Sequence, residues 1–434
     1  MKNKVFNLIG SIAFSIYFFS ICSNNSYAIN LNINFEPRCE SVLLFNFDTE
    51  NIVYEKNPDK KAYPASLTKI MTYIIVRENV PDLDNTSITV DSEILKSLIG
   101  TGSSLSHIKG GDILTIRQLL HCLLIKSGND AALILADFIG QGSIDNFVQM
   151  MNKKAKDLGC KNTNFVNAHG LDHTDHYSTA KDILKMTRYA ITLPDFMEIS
   201  STVISKILGE NRPSLITTNF MIDLARGGKY YYKYAKGIKT GYDVTSGRCL
   251  VSTASNNVHS YLCVALGGRD SYKQENRPEE NLAMLDSKKI YQWAFSNLKI
   301  KEIANKNNPL SKIKVKLSSK KDYITPYPRS NAYTMLPKNI NPSSVDVILN
   351  TPEYINAPIK ENQKIGTATL KYENFDITTI DIVSNEKLEA NIFLLIIHHI
   401  LSSWFKIFII TAIFYILYKG FVRYSRIKKK TYRK

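Results

Sequence analysis

The chain closes with an apolar stretch, Asn391 to Tyr418, whose only charge is Lys406, and eight lysines and arginines crowd the residues that follow it. A run of this length spans the roughly 30 Å hydrocarbon layer as a helix, and a basic flank favours the cytoplasmic side. The pattern predicts a transmembrane anchor over 391–418 and a basic cytoplasmic tail over 419–434. Lys406 divides the stretch, so its first part has the alternative of lying flat in the interface. That arrangement leaves Ile407 to Leu417 unburied, which favours spanning.

The other end matches. Lys2 and Lys4 precede an apolar run from Val5 to Cys22, and Ser26-Tyr27-Ala28 supplies a small-x-small cleavage site. A signal peptide over 1–28 is expected, with the mature chain starting near Ile29. Cys22 invites a lipoprotein reading, but Ile21 stands where that processing wants a small side chain. The bulk of the chain therefore folds outside the cytoplasm, tethered to the membrane by its C-terminus.

Of the formal net charge of +16, two positives sit in the leader and eight in the tail, which leaves +6 for everything between. The folded part is only mildly basic, and nucleic-acid binding loses its main support. Five cysteines remain after the leader: Cys39, Cys122, Cys160, Cys249 and Cys263. An odd number without CxxC spacing gives neither a disulfide framework nor a zinc knuckle. Cys249 and Cys263 fall on neighbouring predicted strands, where pairing and free buried thiols are both open, the thiols being the plainer reading.

SVLLFNFDTENIVYEKN reads as two strands joined by a polar turn, a hairpin at a sheet edge. Helical patterns follow, over Ser66 to Arg77 after Pro64, Ile116 to Ile125, and Ala131 to Ile139, with Lys126 to Asp130 as a break between the last two. From Lys236 strands return as GIKTG, RCLVSTA and YLCVALGG, and Glu280 to Asn297 closes with a helix. Strands at both sequence ends with helices between them make one α+β unit, taken as 29–300. Short alternating runs such as KIKVKL and TATLKY then predict a small all-β domain over 301–386. No internal repeat or low-complexity tract interrupts the chain.

A hydroxyl nucleophile needs a base, an anion-stabilising pocket and a grip on its substrate. Three motifs supply them together: Ser66-Leu67-Thr68-Lys69, Ser127-Gly128-Asn129 and Lys239-Thr240-Gly241. On a helix, positions i and i+3 share a face, so the Lys69 amine reaches the Ser66 hydroxyl. A helix starting at Ser66 also leaves its N–H free to point at a developing oxyanion. Lys69 must be neutral to accept a proton, and burial beside a second cation, Lys239, lowers its pKa in that direction. Ser127, on an interhelical loop, can relay a proton to a leaving amine while Asn129 holds substrate backbone. Lys239 and Thr240 offer a charge and a hydroxyl to a terminal carboxylate, and Gly241 clears the strand for a peptide lying along it. Singly these motifs say little, since eight other serines carry a lysine three residues on. Their order and placement carry the argument.

PASLTKIMT, SGND and GIKTG, with Asn167 to Asp172 and His176 to Ala180, resemble the low-molecular-weight penicillin-binding proteins, the D-alanyl-D-alanine carboxypeptidases. The likeness extends from about Arg38 to Asn297 and continues more weakly through PIKENQKIG into that family's C-terminal β domain. It implies a β-lactamase/transpeptidase-like catalytic domain, an antiparallel sheet plus a helical subdomain. It implies a reaction without a cofactor or metal, in which Ser66 attacks the penultimate D-alanine carbonyl of a peptidoglycan stem and water then hydrolyses the acyl-enzyme. Lys69 is the implied proton acceptor and Lys239 the substrate-binding residue. The backbone N–H groups of Ser66 and Tyr242 form the implied oxyanion hole, and β-lactam antibiotics are the implied covalent inhibitors. The family places an arginine that helps hold the carboxylate soon after the strand matching YLCVALGG; here Arg269 and Arg277 both stand at imperfect spacing, and the choice between them is open.

Three other readings compete. His169, His173 and His176 suggest a zinc set, but Gly170 and its polar neighbours make a regular helix, with its i, i+4 geometry, a poor fit. A class A β-lactamase needs a deacylating glutamate between the second and third motifs, and only Glu198 and Glu210 lie there, neither in a Glu-x-x-Leu-Asn pattern. A transpeptidase or cross-link endopeptidase keeps the same nucleophile and changes only the acceptor or leaving group.

Overall fold

Every residue of β1 (Ser41–Asn46, SVLLFN) is buried, which an alternating strand with one wet face does not allow. The computed structural model, which describes residues 31, 33–269, 279–373 and 375–431, shows why. β1 lies inside a five-stranded antiparallel sheet ordered β2-β1-β5-β4-β3, with β2 Asn51–Lys56, β3 Ala235–Asp243, β4 Gly247–Ser255 and β5 Ser260–Gly268. Pairing of β1 with β5, Ser41 opposite Leu266, brings the two ends of the unit together. The hairpin forms one edge and β3, which carries Lys-Thr-Gly, forms the other.

Both faces of the sheet are covered. Leu43, Phe45, Leu262, Val264 and Leu266 join the core of the helical half. On the other face lies α6 (Leu282–Asn297), whose Tyr291 hydroxyl donates to Ser252 O (2.6 Å) and accepts from Cys263 N (3.0 Å). The helical half is built around α1 (Lys69–Asn79), every residue of which is buried from Lys69 to Val76. An all-round buried helix has no polar stripe to show, and α1 packs against α2 (Ile116–Leu124), α3 (Asn129–Ile139), α4 (Ile144–Asp157) and α5 (Ala180–Thr192). α2 opens on a capping box, Thr115 with Gln118, which fixes where the helix begins.

Two details differ from the sequence expectation. Ser66 is not the first residue of an α-helix: Ala65–Thr68 form a 3₁₀ turn, with Ala65 in the left-handed region at φ 47°, and the α-helix starts at Lys69. α3 also begins inside the expected break, so Asn129 stands on its first turn. The five cysteines are free and buried. Cys249 belongs to the helical core whereas Cys263 sits on the α6 face beside Ser287, so adjacent strands do not make them a pair.

The chain divides into two compact units: residues up to Lys301 together with Thr334–Asn341, and Glu302–Tyr333 together with Pro342 onward. The first boundary falls where composition changes; the return of Thr334–Asn341 to the first unit has no compositional signal. The second unit holds a four-stranded sheet ordered Pro326–Pro328, Phe375–Ser384, Lys364–Tyr372, Asp346–Asn350 and a three-stranded one around Ile313–Lys316. Ile313 and Val315 are buried while Lys314 and Lys316 are exposed, the period-two pattern of a strand with one dry face. One helix then runs unbroken from Ile392 to Thr431, past Lys406 and beyond the expected anchor into the basic tail. Residues Ile392–Val422 are long and apolar enough to cross a membrane, by length and composition. The expected signal peptide lies outside the described residues.

Tyr291→Phe removes a hydroxyl on which Ser252 O and Cys263 N both depend. The change costs about 2 kcal/mol and lowers the urea-unfolding midpoint; an unchanged midpoint would show that the α6 face tolerates those unpaired groups.

Candidate active site

The Lys69 amine is the centre of the site. Its Nζ lies 2.8 Å from Ser66 Oγ, 2.7 Å from Asn129 Oδ1 and 2.7 Å from His169 O. The side chain is fully buried, and burial first, then the nearby Lys239 charge, pull its pKa well below the lysine range, against the opposing pull of Asp130. A neutral amine has two N–H donors and one lone pair. Asn129 Oδ1 and His169 O are acceptors only and take both donors, so the lone pair is left facing the Ser66 hydroxyl. That is a general base in contact with a nucleophile.

Ser66 is presented by the turn at Ala65–Thr68, which is clamped from below. Thr68 Oγ1 donates to Ala65 O (2.8 Å) and meets His176 Nε2 (2.8 Å), while His176 Nδ1 accepts from Val166 N (3.2 Å). Burial holds His176 down to about 4, so the ring is neutral and uses both nitrogens within the fold. Gly170 allows the close approach: at φ 90°, its missing Cβ would lie 1.9 Å from Ala65 O. Gly241 plays a matching part from the sheet side, since a Cβ there would lie 3.0 Å from Pro64 O and 3.3 Å from Ser66 N. The space its absent side chain leaves is filled by the serine turn, rather than by the path along the strand that the sequence suggested.

These elements enclose a cleft of about 890 Å³ whose lining includes Ser66, Ser127, Asn129, Thr240, Gly241 and Tyr242. Ser127 is buried and held in the left-handed region, φ 63°, between α2 and α3. Lys239 is buried as well; its Nζ donates to Thr240 O (2.9 Å), and desolvation brings its pKa down to about 7. The structure thus joins Ser66, Lys69 and Asn129 by hydrogen bonds, sets Ser127, Thr240, Gly241 and Tyr242 in the same cleft, and buries Lys239 near enough for its charge to act on Lys69.

Several contributors were given no role by the sequence reading. His169 acts through its backbone carbonyl, which any residue type provides. Asp130 is buried, its Oδ2 accepting from Ser106 N (2.7 Å) and its Oδ1 from Ala131 N (2.9 Å), which ties the cleft-lining loop to α3. Arg226 and Arg248 line the cleft, whereas Arg269 is turned to Glu40 and Thr245 O, and Arg277 lies outside the described residues. The hairpin turn at Val244 to Ser246 returns Arg248 beside Tyr242. Among the described residues no three His, Cys, Asp or Glu side chains gather as a metal site; His169 and His173 each turn Nδ1 to a backbone N–H, of Leu171 and Asp175. Asp243 is the acidic side chain among the described lining residues, and neither Glu198 nor Glu210 reaches the cleft.

Comparison with known proteins agrees with this geometry. Residues 30–270 match the family model described as D-alanyl-D-alanine carboxypeptidase, peptidase S11, and residues 299–390 match that of the C-terminal domain of penicillin-binding protein 5. The chain is similar to the D-alanyl-D-alanine carboxypeptidase DacF of Bacillus subtilis, 29% identical over 374 residues that cover 85% of this chain and 90% of that protein. Among solved structures it is similar to penicillin binding protein 5 from Haemophilus influenzae, at TM-score 0.63 and 25% identity, over 83% of this chain and 100% of the other. It is also similar to the Streptomyces K15 DD-transpeptidase, at TM-score 0.53 and 26% identity, over 61% of this chain and 100% of the other. Motifs, fold and site geometry thus converge, and the chain belongs to the D-alanyl-D-alanine carboxypeptidase family of penicillin-binding serine peptidases.

Proposed function

We propose that the chain is a serine-type D-Ala-D-Ala carboxypeptidase that trims peptidoglycan pentapeptide stems, with Ser66 as nucleophile and Lys69 as its base. The observation that carries this reading is the buried Lys69 amine, its pKa pulled well below the lysine range, 2.8 Å from Ser66 Oγ. Ser66 Oγ attacks the penultimate D-alanine carbonyl as its proton passes to Lys69, and the oxyanion forms against the N–H groups of Ser66 and Tyr242. Collapse breaks the peptide C–N bond, and Ser127 relays the proton to the departing amine of D-alanine. Water then attacks the acyl-enzyme, its proton passing to Lys69, which hands it to Ser66 Oγ as the ester bond breaks. Asn129, whose Oδ1 is committed to Lys69, turns its Nδ2 to the substrate backbone. Lys239 and Thr240 take the terminal carboxylate, and β-lactams acylate Ser66 in the same place.

The terminal helix fits a single membrane pass with the catalytic unit on the extracytoplasmic face, because the basic residues follow the apolar run. A reporter fused after Lys434 that is active only in the cytoplasm is expected to report; one active only when exported would reverse the orientation.

Incubation with a muramyl pentapeptide is expected to release D-alanine, and Ser66→Ala to abolish both release and penicillin labelling. Products cross-linked or cleaved at dimers, without free D-alanine, would replace this reading with transpeptidation or endopeptidase action.

The pH dependence follows from the two lysines. The Lys69 pKa is lowered, so the base is present above that depressed value and is lost as pH falls through it. The Lys239 cation is present below about 7 in the empty cleft and is lost above, unless a bound carboxylate holds its proton. Acylation by penicillin should therefore give a bell-shaped kcat/KM profile, and Lys69→Arg should lower the rate by roughly 10³-fold at every pH. A profile flat from acid to alkaline pH would rule out this division of labour.

A further inference from the structure

We propose that one face of the small β unit, bearing Lys312, Lys314 and Lys316, docks on anionic phospholipid headgroups of the membrane its own terminal helix enters. The inference rests on the reading of that helix as a membrane span. The three lysines alternate with the buried Ile313 and Val315 along the central strand of the three-stranded sheet, so they share its exposed face. Tyr323 and Tyr354 stand opposite Lys314 on the two flanking strands, 42% and 41% exposed. The Lys312 amine lies 4.3 Å from the centre of the Tyr323 ring, and the Lys316 amine 3.3 Å from that of Tyr354. Stacking on the rings keeps both ammonium groups on the face. Tyrosine is also a residue type that settles at headgroup depth.

The charge on this face is not neutralised within the fold. Lys321, Lys364, Lys371 and Lys387 of the same unit each meet a carboxylate at 2.5 to 3.1 Å, whereas Lys312, Lys314 and Lys316 form no ion pair among the described residues. Three such cations within about 13 Å of strand repel one another and favour an anionic partner. The tether decides which anion is at hand. Asn391 N donates to Leu317 O (2.7 Å), Ser319 N donates to Glu389 O (3.1 Å), and Ser318 bridges to Ala390. The apolar helix starts at the next residue, with Ile392 and Phe393 exposed. It therefore leaves the fold beside the strand end that carries Lys316. A headgroup layer is roughly 5–7 Å deep and the screening length about 8 Å, so Lys316 and Lys314, within about 10 Å of Leu317, reach lipid phosphate, and Lys312 joins them when the face lies on the surface.

The test places the full chain in nanodiscs of phosphatidylcholine, alone or mixed with phosphatidylglycerol, and follows acylation of each lysine amine by mass spectrometry. Lys312, Lys314 and Lys316 are expected to react about 5-fold more slowly in the anionic discs, and the difference to vanish in high salt. Lys371 serves as the internal control: it sits opposite Asp376, about 26 Å of strand away from Ser384, and is expected to react equally in both discs. Lys314→Glu is expected to reduce the slowing at Lys312 and Lys316 to less than about 2-fold. Equal rates along the stripe in both discs, equal slowing at Lys371, or slowing that survives Lys314→Glu would overturn the proposal. So would protection in neutral discs by soluble peptidoglycan fragments, which would give the face to the wall. A chain that inserts into neither disc would instead overturn the membrane reading beneath it.

Discussion

The structure depends on a primary amine buried with neutral partners. Ionised Lys69 in that place would face a large desolvation cost, and its hydrogen-bond partners are a hydroxyl, an amide oxygen and a backbone carbonyl, none of them an anion. The environment therefore selects the uncharged form. Each partner comes from a separate stretch of chain, Ser66 from the turn before α1, Asn129 from the start of α3, and His169 from the loop ahead of α5. A base of this kind exists only where three elements meet within hydrogen-bonding distance. The close packing of α1 on all sides is what makes that meeting possible.

The sheet contributes the second half of the site by proximity. β3 reaches the serine turn because residue 241 has no side chain, and Gly170 lets the opposite loop close on Ala65 in the same way. Two glycines, 71 positions apart in the chain, thus grip one turn from two sides. Ala65 and Ser127, held with positive φ on either side of the nucleophile, show that the local backbone is set by its surroundings rather than by residue preference.

Much of this was legible in the sequence, for physical reasons. The i, i+3 relation of Ser66 and Lys69 holds in a 3₁₀ turn leading into an α-helix nearly as well as in an α-helix, so the pairing survived a misread helix start. The strands of the sheet were visible as apolar runs, a hairpin at one sequence end and three strands at the other, while the order in which they pair came only from the structure. The His169 carbonyl was invisible because a backbone acceptor leaves no trace in residue type. The α3 start was missed because Asn129 and Asp130 resemble loop residues, although both suit a first helical turn. The return of Thr334–Asn341 to the first unit is a long-range event that composition does not encode.

The position of β3 at the end of the sheet has a consequence for how the protein coexists with others of its kind. A strand with one free side is a template onto which any extended chain can zip, and proteins usually blunt such strands with proline, outward charge or a bulge. This one bears its register shift near Lys236 to Lys239, keeps Ile238, Lys239 and Gly241 buried, and turns Thr240, Gly241 and Tyr242 to the cleft. Access is limited by depth instead. A cleft of about 890 Å³ suits a slender peptide end better than the broad flank of a neighbouring sheet, so the same walls that line the site also cover the strand's free side.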